Sequence, residues 1–216
     1  MKVTARCLLL LVLLAGGTGC SMHRNAHIAP TADVEMDAKV LAKFQKEIEE
    51  YKELHQELIH RIPNVGPNAT AAEIAAHRDK MTKGIQAERR SAKQGEIFKP
   101  RVEIAFRRII TRELASPERE QVVKEIKQGN PTVENVPNQA DPTRDHPEPV
   151  RVAVNAIYND RAPFSSMPPT LLLKMPQLPE EVRYQFVGRD LILLDSEATV
   201  ILDFINDAVP DRSVPR

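Results

Sequence analysis

Between Asp33 and Ile62, apolar residues recur at Leu41, Phe44, Ile48, Tyr51, Leu58 and Ile62, with His55 in the same series. Steps of three and four residues put these side chains on one stripe of an α-helix, with lysine and glutamate filling the other faces. At 1.5 Å per residue the rod is roughly 40 Å long. Its period is coiled-coil-like, so such a helix needs packing partners along most of its stripe. The remainder of the chain has to supply them.

Pro63-Asn64-Val65-Gly66-Pro67-Asn68 interrupts the helix, and Thr70 with Glu73 three residues later reads as a capping box opening a second one. That helix is expected to run to about Lys93, with Ile74, Met81 and Ile85 inward and Gly95 as its C-cap. The short connection predicts an antiparallel hairpin. Pro100 starts a third helix with Val102, Ala105, Phe106, Ile109 and Ile110 as its stripe. Ser116-Pro117-Glu118 starts a fourth, carrying Val122, Val123 and Ile126 and stopping at Gly129. Asn130 to Pro149 holds five prolines and few apolar residues, which makes it a linker.

Beyond it the period changes. Val152, Val154 and Ala156 alternate in a plausible edge strand ending near Tyr158, and a short helix is expected from Ser166 to Met175. Val182, Tyr184 and Phe186 share one face of a strand, and Gly188-Arg189 suits a two-residue hairpin. A turn at Asp195 to Ala198 leads to a last strand with Val200, Leu202 and Phe204 inward. Asp190 and Asp195 read as turn residues, and Asp203 as pointing away from the core. The expected fold is α+β and mostly α. A long antiparallel helical hairpin and two shorter helices precede a Pro-rich linker and a small C-terminal antiparallel β-meander. The expected divisions are a signal peptide at 1–19, a tether at 20–32, a helical region at 33–129, the linker at 130–149 and an α+β region at 150–210.

The first residues read as a targeting segment. Lys2 and Arg6 precede an apolar run from Leu8 to Ala15, too short for a mature membrane span, and then small residues up to Cys20. Cys7 leaves with the peptide, so Cys20 is the only cysteine of the expected mature chain. Formal charge is zero for the whole chain, which argues against a general nucleic-acid binder. Residues 78–112 nevertheless hold eleven basic side chains, and these either pair with the acidic first helix or offer a face to an anionic polymer or acidic partner.

No phosphate-binding glycine loop, nucleophile elbow, His-Glu-x-x-His, cysteine pair or calcium loop is present, and no cofactor or catalytic residue is assigned. One constellation bears on chemistry. If the first two helices fold back around Gly66, His55 comes level with His77, and His60 with Glu73. Two histidines with one or two carboxylates suit a single zinc or nickel ion. Without that use, His55 is a polar residue in the helix seam and His60 and His77 are solvated. His23, His27 and His146 carry no such signal.

Several phrases carry a resemblance. These are Ala72-Glu73-Ile74-Ala75, Gly95-Glu96-Ile97-Phe98-Lys99-Pro100, Met167-Pro168-Pro169-Thr170-Leu171-Leu172 and Leu178 through Leu191. Their order resembles a family of uncharacterised exported bacterial proteins of lipoprotein type, which implies shared architecture and export but no catalytic residues. The Thr18-Gly19-Cys20 junction resembles a lipoprotein box, although Gly17 departs from its usual leucine. That resemblance implies acylation of Cys20, with Ser21 pointing to the outer membrane, facing the periplasm. Tyr184-x-x-Val187-Gly188-x-Asp190 is similar to the C-terminal hairpin of the periplasmic nickel/cobalt-homeostasis family, and it transfers no metal ligands. The expectation is a non-enzymatic cell-envelope protein with a binding or scaffolding role, held to the membrane through Cys20 or else secreted. Metal binding is the alternative, and an undetected hydrolase the third reading.

Overall fold

The computed structural model describes residues 32–115, 117, 119–128, 151–158 and 167–209. The expected signal peptide, all of the tether but its last residue, the linker at 130–149, and Cys20, His23, His27 and His146 lie outside the described residues.

The chain is α+β. Helix α1 spans Ala32–Arg61, α2 Ala71–Glu88, α3 Pro100–Leu114, α4 Arg119–Gln128 and α5 Pro169–Leu172. Strands β1 (Val182–Val187), β2 (Asp190–Asp195) and β3 (Ile201–Ile205) form an antiparallel sheet in sequence order. Among the described residues no helix is long and apolar enough to cross a membrane.

The stripe of α1 is buried through Val40, Phe44, Ile48, Tyr51, His55 and Leu58, and Leu41 and Ile62 are partly covered. Phe44 stacks on Phe98 at 5.7 Å between ring centroids and meets Phe106 edge-on at 5.0 Å, with Tyr184 of β1 6.4 Å away. Each such ring contributes about 1.5–3 kcal/mol by leaving water, and ring pairs add roughly 0.5–1.5 kcal/mol. One apolar cluster therefore runs from α1 through α3 into the sheet. Toward the far end of α1, Gly84 of α2 lies against Leu58, where a Cβ would sit only 2.8 Å from Leu58 Cδ2. Glycine is what permits that approach.

Thr70 and Glu73 make the expected capping box, with Thr70 N–H donating to Glu73 at 2.7 Å and Glu73 N–H to the Thr70 hydroxyl at 3.3 Å. Other local expectations need correction. Helix α2 ends at Glu88 with Arg89 as C-cap and not at Gly95, and Ile74 is 45% exposed, the buried residues of α2 being His77, Met81, Thr82 and Ile85. Helix α5 covers a single turn and not the whole of 166–175. Residues 151–158 are not a strand. Asn155 adopts a positive φ of 63°, which breaks an extended backbone, and only the isolated bridge Ile157–Val200 remains.

The hairpin turn holds Gly188 at a φ of 59°, as its two-residue loop requires. The register of β3 then slips, since Leu193 pairs with Asp203 and Leu194 with Ile201, skipping Leu202. A bulge of one residue inverts side-chain parity. Val200 and Leu202 face the helices as expected, but Asp203 now does so too, and Phe204 turns to the opposite face. There it packs with Tyr158, Ile192, Leu194 and Ile201, beneath Val152, Val154 and Ala156.

Candidate functional site

Asp195 closes β2 and is fully buried. Its Oδ1 accepts the N–H groups of Glu197 at 3.0 Å and Ala198 at 2.5 Å, which pins the β2–β3 turn. Its Oδ2 accepts the Tyr51 hydroxyl at 2.7 Å and lies 2.8 Å from His55 Nδ1. It serves the turn, as expected, and is also a buried junction between the sheet and α1. Tyr51 and His55 are four residues apart on α1, one turn, so both reach the same carboxylate.

The other nitrogen of His55, Nε2, faces Glu197 Oε2 at 3.3 Å. Glu197 Oε1 lies 2.7 Å from His77 Nε2, and His77 Nδ1 lies 3.0 Å from the Pro63 carbonyl. A carbonyl only accepts, so His77 Nδ1 carries a hydrogen. A shared proton must then lie between His77 Nε2 and Glu197, because two lone pairs do not approach to 2.7 Å. Five side chains from α1, α2 and the β2–β3 turn form one chain, Tyr51–Asp195–His55–Glu197–His77. His55 is 2% and His77 7% exposed, whereas the Glu197 side chain is 36% exposed.

The surroundings tune these groups. Burial opposes charge on His55, but the hydrogen bond with Asp195 and the attraction of Asp195, Glu197 and Glu181 outweigh it, so its pKa is raised above 6.5. Burial first, and Asp195 second, push the Tyr51 hydroxyl well above its usual range, which keeps it a donor. The Arg89 guanidinium sits 5.7 Å from the Tyr51 ring centroid and donates to the Leu202 carbonyl at 3.0 Å.

His77 opens on a cavity of about 510 Å³ lined by the Pro63–Ala69 loop, Glu73 and Lys80. Of the sequence-derived candidates, His55 and His77 meet at one carboxylate. His60 does not join them. Its Nδ1 contacts the Gln56 carbonyl at 2.7 Å, and the Glu73 carboxylate is engaged by the Thr70 N–H and hydroxyl. Those Thr70 hydrogen bonds hold Glu73 below the usual carboxylate range. The sequence reading missed Glu197 and Asp195, which lie 120 to 140 residues from their histidine partners. Among the described residues no group of three or more His, Cys, Asp and Glu side chains could hold a metal ion.

Asp203 is equally buried but structural. It accepts the N–H groups of Gly95, Ile97, Phe98 and Phe204, so the loop entering α3 is bound to β3. Within 78–112, Lys83, Arg89, Lys99 and Arg107 are paired with Asp79, Glu96, Glu47 and Glu103. Elsewhere, Met167, Leu172, Leu173, Met175 and Leu178 wall a groove of about 480 Å³. Leu173 is 84% and Leu172 48% exposed on it.

No family model matches the chain, and neither a curated protein nor a solved structure matches it.

Proposed function

We propose that the chain is a non-enzymatic binding protein of the bacterial cell envelope, exported and held at the membrane by a lipid on Cys20. The observation supporting binding is the apolar groove at α5. Leu172 ends the one-turn helix α5 and Leu173 is its C-cap, both exposed, while Leu171 of the same helix is fully buried. Large apolar side chains kept in water beside a groove point to an interaction surface. Its occupant is an apolar segment of an envelope protein with an acidic flank, since the exposed Lys174 lies between Leu173 and Met175 of the groove in sequence. The two fully buried carboxylates, Asp195 and Asp203, are saturated by donors, which favours a structural use of the acids over acid–base chemistry.

Two measurements test this reading. Fatty-acid labelling in cells should mark the wild type and not Cys20→Ala, and equal labelling would refute the anchor. A photo-crosslinking residue at position 173 should give one discrete protein adduct in intact envelopes, lost on Leu172→Asp. Absence of an adduct, or adducts to lipid only, would refute the groove's role.

A further inference from the structure

Among the described residues from Ile59 to Lys80 only His77 is buried, and the apolar Ile59 and Ile62 are partly covered. The tip of the α1–α2 hairpin is therefore fastened to the sheet at one buried side chain. His77 Nδ1 meets the Pro63 carbonyl of the tip at 3.0 Å, and its Nε2 meets Glu197 of the β2–β3 turn at 2.7 Å. A carbonyl and an ionised carboxylate both accept, so both ring nitrogens must then carry a hydrogen. A neutral imidazole has one hydrogen and satisfies one partner only. Its lone pair faces an oxygen, at Glu197 in one tautomer and at Pro63 in the other, and either repulsion parts the ring from an anchor. His55 repeats the arrangement, with Nδ1 on Asp195 at 2.8 Å and Nε2 3.3 Å from the other oxygen of Glu197. Filled with protons, the series Asp195–His55–Glu197–His77 alternates in sign and sums to zero charge. Protonating Glu197 instead supplies one hydrogen for two imidazoles.

We propose that this cluster is a proton-operated clasp, in which loss of the proton between His77 and Glu197 releases the hairpin tip from the β2–β3 turn and opens the cavity that the tip walls. The groups facing it are Tyr51 of α1, with Arg89 against its ring, then Asp195, Glu197 and Glu181, and Glu73 and Lys80 around the cavity. Asp195, Glu197 and Glu181 favour a charged imidazole and raise the pKa of His55 above 6.5. Closure therefore takes up a proton. It is fully favoured below 6.5 and weakens as pH rises through the higher value of the closed state. The clasp is independent of the groove at α5, so either can fail alone.

The test is amide hydrogen exchange of the full chain, read by NMR as protection relative to intrinsic rates, from about pH 5.5 to about pH 8.5. Protection at residues 75–80 of α2 should fall by about tenfold per pH unit as the proton leaves, while residues 191–194 of β2 stay more protected. Glu197→Gln should remove this dependence, because its amide donates to a neutral imidazole and accepts from a charged one. Protection at 75–80 that is constant with pH in the wild type, or equal to that of β2 at every pH, would overturn the clasp. A wild-type slope in Glu197→Gln would do the same. Exchange in the wild type decides the matter even if the variant does not fold.

Discussion

Replacing Asp203 by alanine should be among the most damaging single changes in this chain. The carboxylate accepts Gly95 N–H at 2.9 Å and Phe204 N–H at 2.8 Å on one oxygen, and Ile97 N–H at 2.9 Å and Phe98 N–H at 2.7 Å on the other. Three of those donors lie about a hundred residues away, so no local rearrangement replaces the acceptor. Each buried donor left unsatisfied costs about 1–3 kcal/mol. Water entering the space vacated by the carboxylate recovers part of this, and removal of a buried charge recovers some of its desolvation cost. An expected net loss of about 4 kcal/mol follows, at the upper end of single substitutions. Phe98 should loosen with it, and with Phe98 its contacts to Phe44 and Phe106. Equilibrium urea unfolding, with the slope fitted in each case, measures the loss. Asp79→Ala removes an exposed carboxylate paired with Lys83 and should stay within about 0.5 kcal/mol of wild type. A loss below about 1 kcal/mol for Asp203→Ala at unchanged slope would refute the view that this carboxylate fastens the loop to the sheet.

Three further outcomes are expected. Thr70→Ala removes the N-cap acceptor of α2 and should cost about 1 kcal/mol in the same urea assay. Gly84→Ala should be nearly neutral, because helix propensity gains about 1 kcal/mol while the Leu58 side chain must yield to the new Cβ, whereas Gly84→Leu should lose about 1–3 kcal/mol by overpacking. The raised pKa of His55 sets the sign of one pH dependence. Its contribution to stability is complete below the unfolded value of 6.5 and is lost as pH rises through the folded value, so His55→Gln should flatten that part of a stability–pH curve.

What could be read from the sequence was local. The stripe of α1, the capping box at Thr70 and the glycine turn at Gly188 each depend on residues within a few positions of one another, and each is present. Asp203 was misplaced because alternation assumes an unbroken register, and the slip at Leu202 leaves no mark in composition. Asn155 broke the expected edge strand through a backbone angle that asparagine tolerates but does not announce. His55 and His77 were visible as candidates because a hairpin folded back around Gly66 brings them level. Glu197 was not, since an acidic residue in a turn is ordinary until the fold brings two histidines to it. Asp195 looked like a turn residue and is one, and it also holds Tyr51 and His55.

His55 bridges two carboxylates, those of Asp195 and Glu197, in a single cluster with His77. Nitrogen-15 NMR of the imidazole rings across a pH titration of the chain tests it directly. The predicted result is a His55 with hydrogens on both Nδ1 and Nε2 that titrates above 6.5, beside a His77 with hydrogen on Nδ1. A His55 that titrates at or below 6.5, or a His77 whose Nδ1 lacks its hydrogen, would contradict it.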